Sequence, residues 1–242
     1  VSSNGRLLGL TYVPEQQVGA WHRHDTDGVF ESCTVVAEGN EDYLYVIVRR
    51  TVNGASVRYV ERMASRQFAT QADAFYVDCG ATYTGTPATT ISGLSWLEGK
   101  TVSILADGAV HPQRVVTGGS ITLQNAASKV QIGLPITADA QTLPWSAQLD
   151  GALGQGRTKN VNRVYLRVNN SGSVFVGPNA TSLTEYKQRT TEPYGSPPAL
   201  ISDEIQIVIT PSWNNLGQVF VRQANPLPIT LVSMTLEVAI GS

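Results

Sequence analysis

The stretch "AWHRHDTDGVFESC", residues 20–33, gathers His22, His24, Asp25, Asp27, Glu31 and Cys33 in a chain of 242 residues that holds only three histidines and two cysteines. If Asp27-Gly28 forms a two-residue hairpin turn, His24 faces Glu31 and His22 faces Cys33. Residues two apart on a strand share a face, so all four would line one side of a single hairpin. Imidazole, thiolate and carboxylate are ligand types of zinc, and the chemistry they would offer is that of a zinc hydrolase centred on His22 and His24. Against this, four adjacent ladder positions form a flat rectangle, whereas a tetrahedral site needs ligands that converge. A His opposite a Glu is also an ordinary cross-strand ion pair. The preferred reading is therefore structural: no metal and no cofactor, His24 paired with Glu31, and Trp21 with Phe30 packed as core on the other face. A calcium loop starting at Asp25 fails, because Val29 and Phe30 stand where an oxygen ligand and a glycine are required.

A second cluster is cationic. In "DYLYVIVRRTVNGASVRYVERM", setting Asn53-Gly54 as the turn pairs Val52 with Ala55, Val48 with Tyr59 and Val46 with Glu61. Leu44, Val46, Val48, Val57, Tyr59 and Met63 then form a core face. The other face sets Arg49 opposite Arg58 and Tyr45 opposite Arg62. Like charges directly opposite are unfavourable, so a carboxylate or an anion is expected between them, or else a bulge. Arg49, Arg58 and Arg62 are thus candidate interaction residues, for phosphate or for the acids of the same sheet or a neighbouring subunit. The intramolecular or intersubunit pairing is favoured, since Arg in such places is usually paired. Tyr194, in the proline-rich loop "TTEPYGSPPALISDE", is a further interaction candidate on the surface.

Other chemistry is not legible. Asp73, Asp78 and Glu98 show no pairing that would nominate two carboxylates for glycoside hydrolysis. "GALGQG", residues 151–156, lacks the Lys-Ser/Thr of a phosphate loop and reads as a plain loop. Cys33 and Cys79 form neither a CxxC pair nor a disulfide framework and read as free thiols. No enzyme activity is expected.

The elements that carry these residues are strands. Apolar residues alternate with period two or run in short blocks, punctuated by Asp27-Gly28, Asn53-Gly54, Asp107-Gly108 and Gly118-Gly119. Only "SLTEYKQR", residues 182–189, offers a helical turn. Charged residues make up 15% of the chain, well under the usual quarter, and the formal net charge is -2. A near-neutral chain has no basic field for nucleic acid, and sparse charge suggests surface covered by other subunits. No apolar run is long enough to span a membrane, and no membrane anchor is expected. The chain begins Val-Ser-Ser and enters strand sequence at once, which leads us to expect the C-terminal part of a longer polypeptide. We expect an all-β protein of three units: a propeller-like antiparallel meander over 1–72, a small closed β-barrel over 73–142, and a β-sandwich over 143–242.

Three long segments carry a resemblance: "GLTYVPEQQVGAWHRHDTDGVFESCTVV", "DYLYVIVRRTVNGASVRYVERM" and "GLSWLEGKTVSILADGAVHPQRVVTGGSITL". With "KNVNRVYLRVNNS", "KQRTTEPYGSPPAL" and "VFVRQANPLPITLVSMTLEVAIG", they resemble, in order, the C-terminal half of bacteriophage tail nozzle proteins of the tail tubular protein B type. The middle segment also resembles, as a fold only, the small barrel named after the first catalytic cysteine half-domain of ubiquitin-activating enzymes. The resemblance implies a virion structural protein, made in the bacterial host cytoplasm and placed in the virion tail. Such proteins form a sixfold ring below the portal and adaptor, continue the DNA channel without reading sequence, and in some phages hold fibres or spikes. The alternative is a carbohydrate- or receptor-binding β-module at the tail tip, with Trp145, Tyr194 and Trp213 as candidate sugar-stacking residues.

Overall fold

The computed structural model describes residues 1–146, 148–149, 152–153, 156–188, 191–193 and 196–241. It is all-β: antiparallel strands in several small sheets, with only three short 3-10 turns among the described residues. None of its helical segments is long and apolar enough to cross a membrane.

Among the described residues the first strands, β1 (Leu7–Val13) and β2 (Val18–His24), pair only with each other. A 3-10 turn at Pro14–Gln16 joins them, closed by Gln17 in the left-handed region at φ 54°. β3 (Val29–Glu38), β4 (Glu41–Val52) and β5 (Ala55–Arg62) form a separate three-stranded sheet in that order. The propeller-like meander is thus interrupted between β2 and β3. The Asn53-Gly54 turn has positive φ at both residues, as a tight hairpin requires. It sets the register expected of it: Val52 pairs with Ala55, Val48 with Tyr59, Val46 with Glu61 and Arg49 with Arg58. Leu7, Phe30, Val46 and Val48 make the small core of this region, with Leu44 packed beside them. Met63, expected in that core, is 41% exposed.

The second group comprises β6 (Asp78–Ser92), β7 (Thr101–Ala106), β8 (Ala109–Val115) and β9 (Ser120–Leu134), in the order β6-β9-β7-β8. Asp107-Gly108 and Gly118-Gly119 turn the chain with positive φ throughout. β6 runs through Pro87, and its pairing with β9 slips between Thr84 and Ala88. This sheet stays open, which corrects the expected closed barrel. The seam between β8 and β9 is crossed by side chains instead of a ladder. His111 Nε2 accepts from Gln124 N–H at 2.9 Å, and Arg114 Nε donates to the Thr122 carbonyl at 3.2 Å. Pro112, inside β8, has no N–H to offer a ladder. The sheet curls around a dense core that includes Leu94, Leu97, Val102, Ile104, Val130 and Ile132.

The last group is a sandwich. One sheet runs β10 (Ala138–Gln141), β17 (Phe220–Gln223), β14 (Phe175–Asn179), β15 (Ser182–Glu185). The other runs β16 (Glu204–Val208), β13 (Lys159–Val168), β18 (Leu231–Ile240). Val164 and Leu166 of β13, Val176 of β14, Ile207 of β16 and Val221 of β17 meet in one core between them. Because β10 pairs with β17, this group begins before residue 143. The segment expected to hold a helical turn is instead strand β15 followed by irregular chain as far as Gln188; the Asn179 side chain accepts from Ser182 N–H at the turn that leads back onto β14. A short pair, β11 (Gln148–Leu149) and β12 (Ala152–Leu153), stands apart from both sheets. The loop "GALGQG" lies largely outside the described residues. Ala74, Leu105 and Leu227 form a bridging cluster that ties the second group to the third.

Candidate functional site

The structure separates the four residues of the suspected metal hairpin. β2 pairs with β1, so His22 lies opposite Gly9 and His24 opposite Leu7. β3 pairs with β4, placing Cys33 opposite Val46. Asp27-Gly28 joins two sheets and has no positive φ, so it is not the hairpin turn its composition suggested. Trp21 is correspondingly 73% exposed, while Phe30 is buried in the other sheet. His24 does not pair with Glu31; its neighbour is His22, ring centroids 5.1 Å apart and nearly perpendicular. Among the described residues no three His, Cys, Asp or Glu side chains converge on a common point. Burial lowers the pKa of His24, the charges of His22 and Arg66 lower it further, and Asp25 opposes them. The imidazole is therefore mainly neutral at pH 7.

The arginine cluster is brought together as a ladder with its counter-charges supplied by β3. The β3–β4 register slips between Phe30 and Ser32, leaving Glu31 as the extra residue of a bulge. That bulge turns Glu31 towards both opposing arginines. Arg49 Nε donates to Oε1 at 3.0 Å, and Arg58 Nε donates to Oε2 at 2.6 Å. The expected bridging carboxylate is thus Glu31. These bonds, that from Arg58 first, hold the Glu31 carboxyl below its ordinary range. Further along the ladder, Glu38 takes the same role for Arg62, at 2.7 Å, and also accepts from the Tyr45 hydroxyl. The Arg62 guanidinium lies over the Tyr43 ring, 4.3 Å from its centroid. Tyr194 lies outside the described residues.

A further arginine was not singled out in the sequence, and among the described residues it is the buried one. Arg50 is 4% exposed on the inner face of β4, beyond Val46 and Val48. Its Nε and Nη2 donate to the two oxygens of Glu61 at 2.6 and 2.7 Å; Nη2 and Nη1 reach Asp78 at 3.1 and 3.4 Å; Nη1 also reaches the Asp27 carbonyl at 2.9 Å. All five donors of the guanidinium are used. Burial works against its charge, but the Glu61 hydrogen bonds and the nearby carboxylates outweigh burial and raise its pKa. Thr26 Oγ1 donates to Asp78 at 2.7 Å, so the linker between β2 and β3 is fastened at the same point.

No family model matches the chain, and no curated protein matches it.

Glu61 and Asp78, the partners of Arg50, line an open cleft of about 1220 Å³ between the N-terminal strands and the start of β6 and β10. His22, His24, Arg66, Glu61, Asp78 and Trp96 are among its lining residues. Cys79 sits beside them in a left-handed conformation, φ 49°. Burial pushes its thiol up to about 11, against the pull of Arg50, so it remains a protonated, poor nucleophile at neutral pH. Trp96 Nε1 donates to the Cys79 carbonyl at 3.0 Å.

The remaining acids have structural partners. Glu98 accepts from the N–H groups of Gly118 and Gly119 at 3.0 and 2.7 Å, clamping that turn. Asp73 pairs with Lys129 and closes a capping box with Thr70, which hold its carboxyl down to about 2. Of the aromatic candidates, Trp213 is 56% exposed, whereas Trp145 is half-buried, with its backbone N–H donated to the Leu216 carbonyl. Sequence reasoning missed Arg50 and Glu38. The inward period of β4 (44, 46, 48, 50) was the available signal for Arg50, because it places a charge in line with the core.

Proposed function

We propose that this chain is a non-enzymatic assembly component of a phage tail, part of a nozzle ring that continues the DNA channel and supports genome retention and ejection. The resemblance of its segments to tail nozzle proteins supplies the setting: a sixfold ring in the virion tail, contact with the tail adaptor and in some cases fibres or spikes, and passage of double-stranded DNA without sequence readout. The observation that carries the assembly reading is the β1–β2 hairpin, which leaves Tyr12 70% and Trp21 73% exposed. Large exposed apolar patches mark surfaces that meet another macromolecule. The charged clusters support the same reading, because Glu31, Glu38, Glu61 and Asp78 already neutralise arginines within the fold. Negative-stain imaging of the full-length protein tests this. Sixfold rings are expected, and compact monomers at every concentration would count against it.

A second reading, a sugar- or receptor-binding module at the tail tip, is favoured by one observation, the exposed Trp213. Indole faces left open to solvent can stack on sugar rings. Saturable binding on a glycan array, abolished in Trp213→Ala, would promote that reading.

A further inference from the structure

The β1–β2 hairpin has one face made for burial. Its register sets Leu8 beside Arg23, Leu10 beside Trp21 and Tyr12 beside Gly19. Leu8 and Leu10 are 48% and 47% exposed, Tyr12 and Trp21 70% and 73%. At roughly 150–250 Å² for each large side chain, these four present on the order of 500 Å² of apolar surface. That is more than half of the roughly 800 Å² that one partner contributes to a standard interface. A two-stranded hairpin with no third strand is marginal in water by itself, so covering this face also stabilises the arm.

The chain carries a second exposed surface of matching chemistry on the β3–β4–β5 sheet. The hairpin is rooted at Leu7, which packs with Phe30, Val46 and Val48 on the inner face of β4. The outer face of the same sheet presents Ile47 paired with Val60, next to Arg49 paired with Arg58. Val60 is 74% exposed. Leu7, at the root of the arm, packs on the face of the sheet opposite to the one that carries Ile47 and Val60. Glu31 holds the two guanidinium groups in place while leaving the Arg49 and Arg58 side chains 44% and 66% exposed. Planar guanidinium groups stack on aromatic faces, as Arg62 already does on Tyr43.

We propose that the β1–β2 hairpin is an assembly arm that docks on the outer face of the β3–β4–β5 sheet of a second copy of this chain. Leu8 and Leu10 cover Val60 and Ile47, and Trp21 and Tyr12 stack against Arg49 and Arg58. The two surfaces differ, so the association is head to tail, the type that closes into rings or runs on as filaments. This inference rests on the assembly reading and deepens it by naming both surfaces.

Sedimentation velocity over a range of concentrations tests it with three forms of the 242-residue chain: unaltered, an arm variant (Leu10→Asp with Trp21→Asp), and a face variant (Val60→Asp). The unaltered chain is expected to self-associate, and each variant alone to associate at least about ten-fold more weakly, a change of about 1.4 kcal/mol. An equimolar mixture of the two variants is expected to form dimers and nothing larger, because one intact arm and one intact face remain. Oligomers insensitive to both variants would overturn the docking mode and leave the assembly reading standing. A mixture that stays monomeric would overturn the head-to-tail arrangement. An unaltered chain that is monomeric throughout would overturn the docking mode, while the assembly reading is decided separately by imaging of the full-length protein. Far-ultraviolet circular dichroism matching the unaltered chain establishes that each variant is folded. The milder pair Leu10→Ser with Trp21→Ser replaces the arm variant if it is not, with the same weakening expected.

Discussion

Arg50 and Asp78 meet at 3.1 Å across the gap between two sheets, one residue from the inner face of β4 and the other from the first position of β6. Glu61 completes the cluster from β5. Removing one partner of a buried ion pair costs about 3–5 kcal/mol, because the remaining charges stay behind without compensation. Arg50→Met is expected to lower the unfolding free energy by that order in urea titrations. Arg50→Lys should restore only part of the loss, since an ammonium cannot supply five donors in a fixed fork.

Glu31 separates two arginines that the hairpin register places directly opposite each other. In Glu31→Gln the carboxylate is gone and Arg49 faces Arg58 with only a neutral amide between them. Stability of this variant at neutral pH should be lower at low ionic strength and recover as salt is added, since salt screens exposed like charges. The unaltered chain should gain less from added salt than the variant does. Thermal melts at low and high sodium chloride measure the difference.

The pKa of Asp73, held at about 2 by Lys129 and Thr70, lies below its ordinary value of 3.8. A carboxyl depressed by folding contributes stability that is fully present above the unfolded value. The contribution declines as pH falls below about 4 and is lost once pH passes the folded value near 2. Asp73→Asn should therefore destabilise the protein at pH 7 and flatten the stability curve between about pH 4 and pH 2. Urea midpoints across that window decide the matter.

His24 has its pKa lowered in the fold, so the folded state resists protonation. Its contribution is present above the unfolded value of 6.5 and weakens as pH drops through and below it. Proton NMR titration should place His24 below 6.5. Amide protection in β1 and β2, taken relative to the intrinsic exchange rate at each pH, should fall between about pH 7 and about pH 5, less so in His24→Asn.

Local chemistry made part of this architecture legible. Asn53-Gly54 determined the register of β4 and β5 because both residues tolerate positive φ and the strands alternate cleanly around them. Asp27-Gly28 is a turn dipeptide of the same kind, but β2 had two possible partners of similar pattern. Pairing with β1 through Pro14–Gln16 won, leaving Asp27-Gly28 to connect sheets and scattering the four suspected ligands. β6 gives little strand signal in the sequence, because Pro87 and its neighbouring small residues interrupt any apolar alternation. Arg50 was hidden for a different reason: its partner Asp78 is 28 positions away, and nothing within a strand announces a partner on another sheet.

The Arg50 junction also governs how the chain can be divided. A cut anywhere between β5 and β6 leaves Arg50 with Glu61 on one piece and strands the Asp78 carboxylate on the other, parted from the Thr26 hydroxyl as well. The N-terminal sheets expressed alone would present a half-compensated guanidinium to solvent where the intact protein has a sealed joint. The boundary that composition offers as a linker is thus a poor place to separate the protein, and the two sides should unfold as one cooperative body.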